Sequence, residues 1–194
     1  MNAIRNRDAD QMEASLGRLP KPVEQPVLVV LIGVPGSGKS HFARQLAKRY
    51  PAAILDSDAL RVALFGVPEH TEREHGRLFP AIHVLLRRLL ARGVPVIMDA
   101  TNLKEANRRP LYKLAEEAGT RVLVVRVTAP VRVIRERLAA RARERHPLDR
   151  STADVEVFAK MRGDYERPRR QYFVVDTSRD AAPALDKIVA RLQS

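Results

Sequence analysis

The chain alternates short apolar runs with longer stretches in which apolar residues recur at helical spacing. Val27-Leu28-Val29-Val30-Leu31-Ile32 has no polar position, the pattern of a parallel strand buried on both faces. Residues 52–55, 94–98, 121–127 and 172–175 are four further, mostly apolar runs of strand length. Between them the period changes. Phe42, Leu46 and Ala47 share one face of a helix over 41–50, and Ile82, Leu85, Leu86 and Leu89 share one over 81–92. Further helices are predicted over 105–118, closed by Gly119, and over 130–145, started by Pro130. Two more are expected over 152–164, capped by Ser151 or Thr152 after the break at Pro147, and over 181–192. Gly66-Val67-Pro68 breaks the pattern, and residues 69–77, rich in His, Glu and Arg, show no period. Strands alternating with helices predict an α/β fold: a five-stranded parallel sheet with helices on both faces. Ligands of such sheets bind beyond the carboxyl ends of the strands.

Residues 1–26 stand outside this rhythm. They are polar, hold four basic and four acidic side chains, and end in Pro20, Pro22 and Pro26. They read as a poorly ordered or packed N-terminal extension to a single domain spanning 27–194, with a short helix expected over 11–19. The charge is +12, from 35 Lys and Arg against 23 Asp and Glu, which favours anionic partners. With no cysteine, disulfide scaffolds and Cys-ligated metal sites are excluded. No apolar run reaches the ~20 residues of a membrane span, and no signal-peptide core is visible, so a cytoplasmic location is expected. No obligate protein partner is evident. Aromatics are only 5%, which argues against a dedicated single-strand binding module.

The chemistry begins where the first strand ends. Gly33-Val34-Pro35-Gly36-Ser37-Gly38-Lys39-Ser40 fits G-x-x-x-x-G-K-[ST] between a strand and a helix, the setting a phosphate-binding loop requires. Glycines let backbone N–H groups close on an anion, and the helix that starts here, with His41 in its first turn, adds its dipole. Lys39 can reach the β- and γ-phosphates of ATP, and Ser40 can bind Mg²⁺. The second strand leads into Asp56-Ser57-Asp58-Ala59-Leu60-Arg61, and the third ends at Asp99-Ala100-Thr101-Asn102. Three strands thus deliver a phosphate cradle and three carboxylates to one sheet edge. Asp58 is the candidate general base, with Asp56 as the alternative. Arg61, three residues on, can hold an acidic group of the acceptor, and Asp99 can support the metal's water shell or the acceptor. Thr101 and Asn102 suit a helix cap equally well, and Arg108 and Arg109 read as a solvated helix start. Arg137 and Arg141 share a face of the arginine-rich helix after the fourth strand and can close over a triphosphate.

GVPGSGKS, DSDALR, VIMDATN and RERLAAR, in that order, resemble the polynucleotide-kinase-like P-loop phosphotransferases, the 5′-hydroxyl kinases, from about Val27 to Tyr165. The resemblance implies a P-loop kinase fold with an Arg-rich helical lid over about 130–165 in a free-standing kinase domain. It implies ATP and Mg²⁺ as cofactors, held by Lys39 and Ser40, and Asp58 as base. Arg61 and Asp99 would serve the acceptor, and Arg137 and Arg141 would lie over ATP. Asp56 departs from the family, which often has Ser or Arg there. The acceptor implied first is an RNA or DNA 5′-OH end. A small metabolite or antibiotic hydroxyl is the alternative, and a nucleotide-dependent switch without transfer is a third reading.

Overall fold

The computed structural model describes residues 2–144 and 155–194. Its centre is β1 (Val27–Ile32), buried at every position. Leu28, Val30 and Ile32 enter the core on one face of the sheet, and Val27, Val29 and Leu31 enter the core on the other. That two-sided burial explains a strand without a polar residue. The remaining strands are β2 (Ala53–Asp56), β3 (Val96–Asp99), β4 (Arg121–Thr128) and β5 (Tyr172–Asp176). They form one sheet in the order β2-β3-β1-β4-β5, with every pair parallel. Asp56 and Asp99 are direct partners in the β2–β3 register, so the two carboxylates emerge side by side.

Helices cover both faces. α2 (Lys39–Arg49) and α8 (Ala182–Gln193) bury Phe42, Leu46, Leu185 and Ile188 on one side. On the other lie α3 (Ser57–Phe65), α4 (Glu72–Ala91) and α5 (Glu105–Glu117), with Leu60, Leu78, Leu85 and Leu111 inward. α6 (Val131–Glu144) and α7 (Val155–Arg162) join a small cluster of Ile134, Leu138 and Phe158 next to the β1 exit. The expected cap at Ser151 or Thr152, and Pro147, lie outside the described residues. No helix among them is long and apolar enough to cross a membrane.

Two segments depart from expectation. The N-terminal helix is α1 (Asn2–Ala14), not a short helix over 11–19. It lies on α4 and α3 with Ala9 and Met12 fully buried, and Gln11 donates to the Ala63 carbonyl across 2.8 Å. Arg77 holds Asp8 with two bonds of 2.7 Å, while Arg88 and Arg92 pair with Asp10 and Glu13. The second departure is α4, which begins at Glu72 and runs through Pro80. Thr71 caps it by accepting the Glu74 N–H, so residues 69–77 are largely helical despite lacking an apolar period.

Candidate active site

The loop from Gly33 to Ser40 joins β1 to α2 at the middle of the sheet. Gly33 is required by space: a Cβ there would lie 2.4 Å from the Val127 carbonyl oxygen. Gly38 is required by conformation, with φ at 89°, and it is the N-cap of α2 without a side chain to cap it. The first N–H groups of α2 are therefore available to an anion, with the helix dipole behind them. Pro35 is buried in the loop, and His41 is exposed in the first turn of α2. Ser37 Oγ is buried without a hydrogen-bond partner.

Lys39 arches back over the loop, and its Nζ donates to the Val34 carbonyl at 3.1 Å. Burial lowers its pKa below the ordinary lysine value, the charges of Asp99, Asp58 and Asp56 oppose that, and Arg141 adds to the lowering. Lys39, the three aspartates and Arg141 therefore share one electrostatic neighbourhood. Asp99 is 3% exposed; burial raises its pKa, and the Lys39 charge and Ser40 hydroxyl pull it down. Its Oδ2 is buried with no hydrogen-bond partner. That orphaned oxygen beside Ser40 suits a hydrated Mg²⁺. No group of three or more His, Asp or Glu side chains among the described residues makes a protein-only metal cage. Mg²⁺ bound through few carboxylates, waters and substrate phosphates needs none.

Asp56 caps α3, accepting from the N–H groups of Asp58 at 2.9 Å and Ala59 at 3.2 Å. Burial, then the charges of Asp99 and Asp58, push its pKa up to about 6. Asp58 is in the first turn of α3. Arg61 is 5% exposed and faces Glu74, donating to Oε2 at 3.0 Å, with His75 Nδ1 at 3.4 Å from its other terminal nitrogen. Its Nε is buried without a partner. Glu74 also accepts from the N–H groups of Glu69 and His70, so one carboxylate holds both Arg61 and the turn before α4.

Arg137 makes contacts that the sequence did not foreshadow. It donates to Thr177 Oγ1 and to the Thr177 carbonyl, each at 2.8 Å, and to the Gly36 carbonyl at 3.4 Å. Thr177 Oγ1 donates in turn to the Ser37 carbonyl at 2.8 Å. Thr177, just past β5, is thus a missed part of the site; its place at a strand's carboxyl end was the available signal.

Thr101 and Asn102 do not cap α5, whose N-cap is Lys104. Instead the Thr101 carbonyl accepts the Gly33 N–H at 3.1 Å, and Asn102 Nδ2 donates to the Leu31 carbonyl at 2.8 Å. Nor is Arg108 solvated. It is fully buried, donating to the carbonyls of Asn102, Leu103 and Glu166 and to the Glu105 carboxylate. Carbonyls in that tight turn need an internal donor, and Arg108 supplies it.

A cavity of about 260 Å³ opens beside Gly33 and Val34. Arg126, Arg162, Phe158 and Tyr165 also line it, with Arg126 packed over the Tyr165 ring at 4.3 Å. None of these four stands out in the sequence, because β4, α7 and the segment after α7 bring them together.

Residues 28–168 match the AAA domain family. The "Probable adenylyl-sulfate kinase" of Aeropyrum pernix is 28% identical over 162 residues, covering 81% of this chain and 86% of that protein. Kti12 of Chaetomium thermophilum, solved with ADP-AlF3, superposes with a TM-score of 0.63 at 25% identity, covering 85% of this chain and 98% of that one. The Mycobacterium tuberculosis APS kinase CysC, solved with AMPPNP and APS, shares the fold at a TM-score of 0.60 and 22% identity, covering 90% of this chain and 100% of that one. With the loop, the orphaned Asp99 oxygen and the family match in agreement, the chain belongs to the AAA domain family and is a P-loop kinase using ATP with Mg²⁺.

Proposed function

We propose that the protein transfers the γ-phosphate of ATP to a hydroxyl on a small, anionic acceptor. The observation that carries this reading is the cavity of about 260 Å³ beside the loop, flanked by Arg126 and Arg162 with Phe158 and Tyr165. It has the size of a small molecule and pairs cationic with aromatic walls. A relative that aligns over most of both chains is named for adenylyl sulfate, a small anion bearing hydroxyls. Nothing in the comparisons supports the polynucleotide end to which the sequence motifs pointed.

In this reading the N–H groups from Gly36 to Ser40, with His41 in the first helical turn, hold the β- and γ-phosphates in the turn that Gly33 and Pro35 shape, and Lys39 neutralises them. Mg²⁺ bound at Ser40 would offset charge on the leaving phosphates. Asp58 accepts the acceptor's hydroxyl proton as that oxygen bonds to the γ-phosphorus; the bond from phosphorus to the β–γ bridging oxygen breaks, and ADP leaves. Asp99 would support the metal's water shell, and Asp56, committed to its cap, keeps α3 in place. Arg126 and Arg162 meet the acceptor's anionic group in the cavity, and Arg61, bound to Glu74, supports the acceptor side from α3. Arg141 stabilises charge on the moving phosphoryl, while Arg137 positions the loop through Thr177.

The purified protein with ATP and Mg²⁺ should be offered adenylyl sulfate, sugar acids, nucleosides and 5′-OH oligonucleotides, with ADP release and label transfer both measured. Phosphorylation of a small anionic alcohol is expected. Transfer to oligonucleotide ends alone would restore the 5′-hydroxyl reading, and ADP release without any phosphorylated acceptor would favour a switch.

A further inference from the structure

A second concavity is at the other end of the sheet. A cleft of about 910 Å³ lies across Val27, Arg121 and Tyr172, the first residues of β1, β4 and β5. β4 alone runs eight residues from this edge to the phosphate loop's edge, so about 25 Å separate the two. Arg121, Arg167, Arg169, Arg170 and Arg191 line the cleft, all exposed, and no Asp or Glu does. Elsewhere, Arg77, Arg87, Arg88 and Arg92 each meet a carboxylate. The five arginines of the cleft have no ion pair among the described residues. Only Arg121 makes a hydrogen bond there, to the Leu192 carbonyl at the end of α8.

Five unneutralised guanidiniums around one concavity repel one another, and an anionic ligand removes that repulsion. The aromatic side chains narrow the class. Tyr172 and Phe173 are half-buried in the cleft, and Arg167 is 6.0 Å from the Tyr172 ring centre; Arg170 lies 4.7 Å over the ring of Tyr112, a buried residue outside the cleft. An arginine resting on a ring keeps its N–H edges for phosphate oxygens and its plane for stacking. Five arginines beside the partly exposed rings of Tyr172 and Phe173 suit a phosphodiester backbone with unstacked bases, whereas an acidic peptide would use the charge and leave the two rings idle.

We propose that this cleft, built from the amino ends of β1, β4 and β5 and residues 167–171, binds single-stranded nucleic acid separately from the phosphate-transfer site. The inference does not depend on which acceptor the kinase site takes, because the two lie at opposite ends of the sheet.

Fluorescence anisotropy tests it, using a 3′-labelled 20-nucleotide RNA and its DNA counterpart without ATP. Binding in the micromolar range is expected at 50 mM salt. With five phosphates contacted, affinity should fall about 10²-fold between 50 and 200 mM. The triple variant R167E/R169E/R170E, altered only at exposed positions, should bind more than tenfold more weakly while keeping the wild-type melting temperature and ATP turnover. Lys39→Ala should bind as wild type does. No binding of either strand at 50 mM, or binding that survives the charge reversal, overturns the proposal. Loss of binding in Lys39→Ala overturns it too, by moving the strand to the kinase site. So does co-sedimentation with phosphatidylserine vesicles in place of binding to either strand.

Discussion

Asp56 and Asp58 are two residues apart, and the fold uses them differently. Asp56 is engaged by two backbone N–H groups, and its pKa is pushed from 3.8 up to about 6 by burial beside two other carboxylates. The folded protein therefore keeps a proton there that the unfolded chain releases between about pH 4 and 6. Folded stability from this group is present at low pH and lost as pH rises through that window. Asp56→Asn preserves the cap acceptor and removes the charge, so we expect equal or greater stability at pH 7.5, by up to about 1 kcal/mol. The pH dependence between 4 and 6 should flatten, as denaturant titrations at several pH values will show. Asp58→Asn should instead lower kcat by roughly 10²–10⁴ with little change in stability; the reverse outcome would make Asp56 the base. Lys39→Ala should abolish measurable transfer and leave circular dichroism unchanged, because its charge acts on the phosphates rather than the core. The carboxylates and Lys39 were legible because the chemistry dictates residue type at strand ends. Arg61 and Arg108 show where legibility stops. Each is an arginine near a helix start, and only long-range partners, Glu74 for one and the Asn102 and Leu103 carbonyls for the other, reveal that both are buried.

At the scale of elements, strands and helices with clear periods lie within a residue or two of their expected bounds, except α7, whose expected start at Thr152 is outside the described residues, and α4, which begins nine residues before the expected 81. Its first turns carry Glu72, Arg73, Glu74, His75 and Arg77, and Pro80 resembles a boundary, since proline usually ends a helix. The neglected signal was Thr71-x-x-Glu74, a capping pattern. The contact between α6 and the β5 exit was beyond any periodicity, because Arg137 and Thr177 are 40 residues apart. Thr177 receives from Arg137 and donates to the Ser37 carbonyl, so a single hydroxyl couples lid, loop and sheet edge. Thr177→Val keeps the shape and removes the hydroxyl. A loss of about 1–2 kcal/mol is expected from the two bonds. The KM for ATP should rise several-fold with kcat reduced less, because the loop would be held less firmly before nucleotide arrives. An unchanged KM would show that Gly36 packing on Ile134 and Leu138 positions the loop without the latch.

Over the whole molecule, parallel strands, two helical layers and one chemical edge follow from alternation alone, but the order β2-β3-β1-β4-β5 does not. Neither does the place of α1. Its exposed faces are largely polar apart from Ile4, and it offers the core only Ala9 and Met12, too few for a readable period. Its specificity comes instead from charge: Asp8, Asp10 and Glu13 meet Arg77, Arg88 and Arg92, three acids on one helix opposite two arginines of α4 and the arginine that caps it. Ion pairs at the exposed end of that row contribute little each, whereas Asp8 is 2% exposed and held in two bonds. The apolar anchor should dominate. Met12, fully buried against the α4 side of the core, leaves a cavity on truncation, so Met12→Ala should cost about 2–4 kcal/mol in denaturant unfolding. Asp10→Asn, on a largely exposed partner, should stay within about 0.5 kcal/mol of wild type. Because α1 rests on α3 and α4, which carry Asp58, Arg61 and Glu74, loosening it should also weaken acceptor binding before it affects ATP binding. In Met12→Ala the KM for the acceptor should therefore rise more than the KM for ATP. Equal changes in both constants would mean that α1 supports general stability alone.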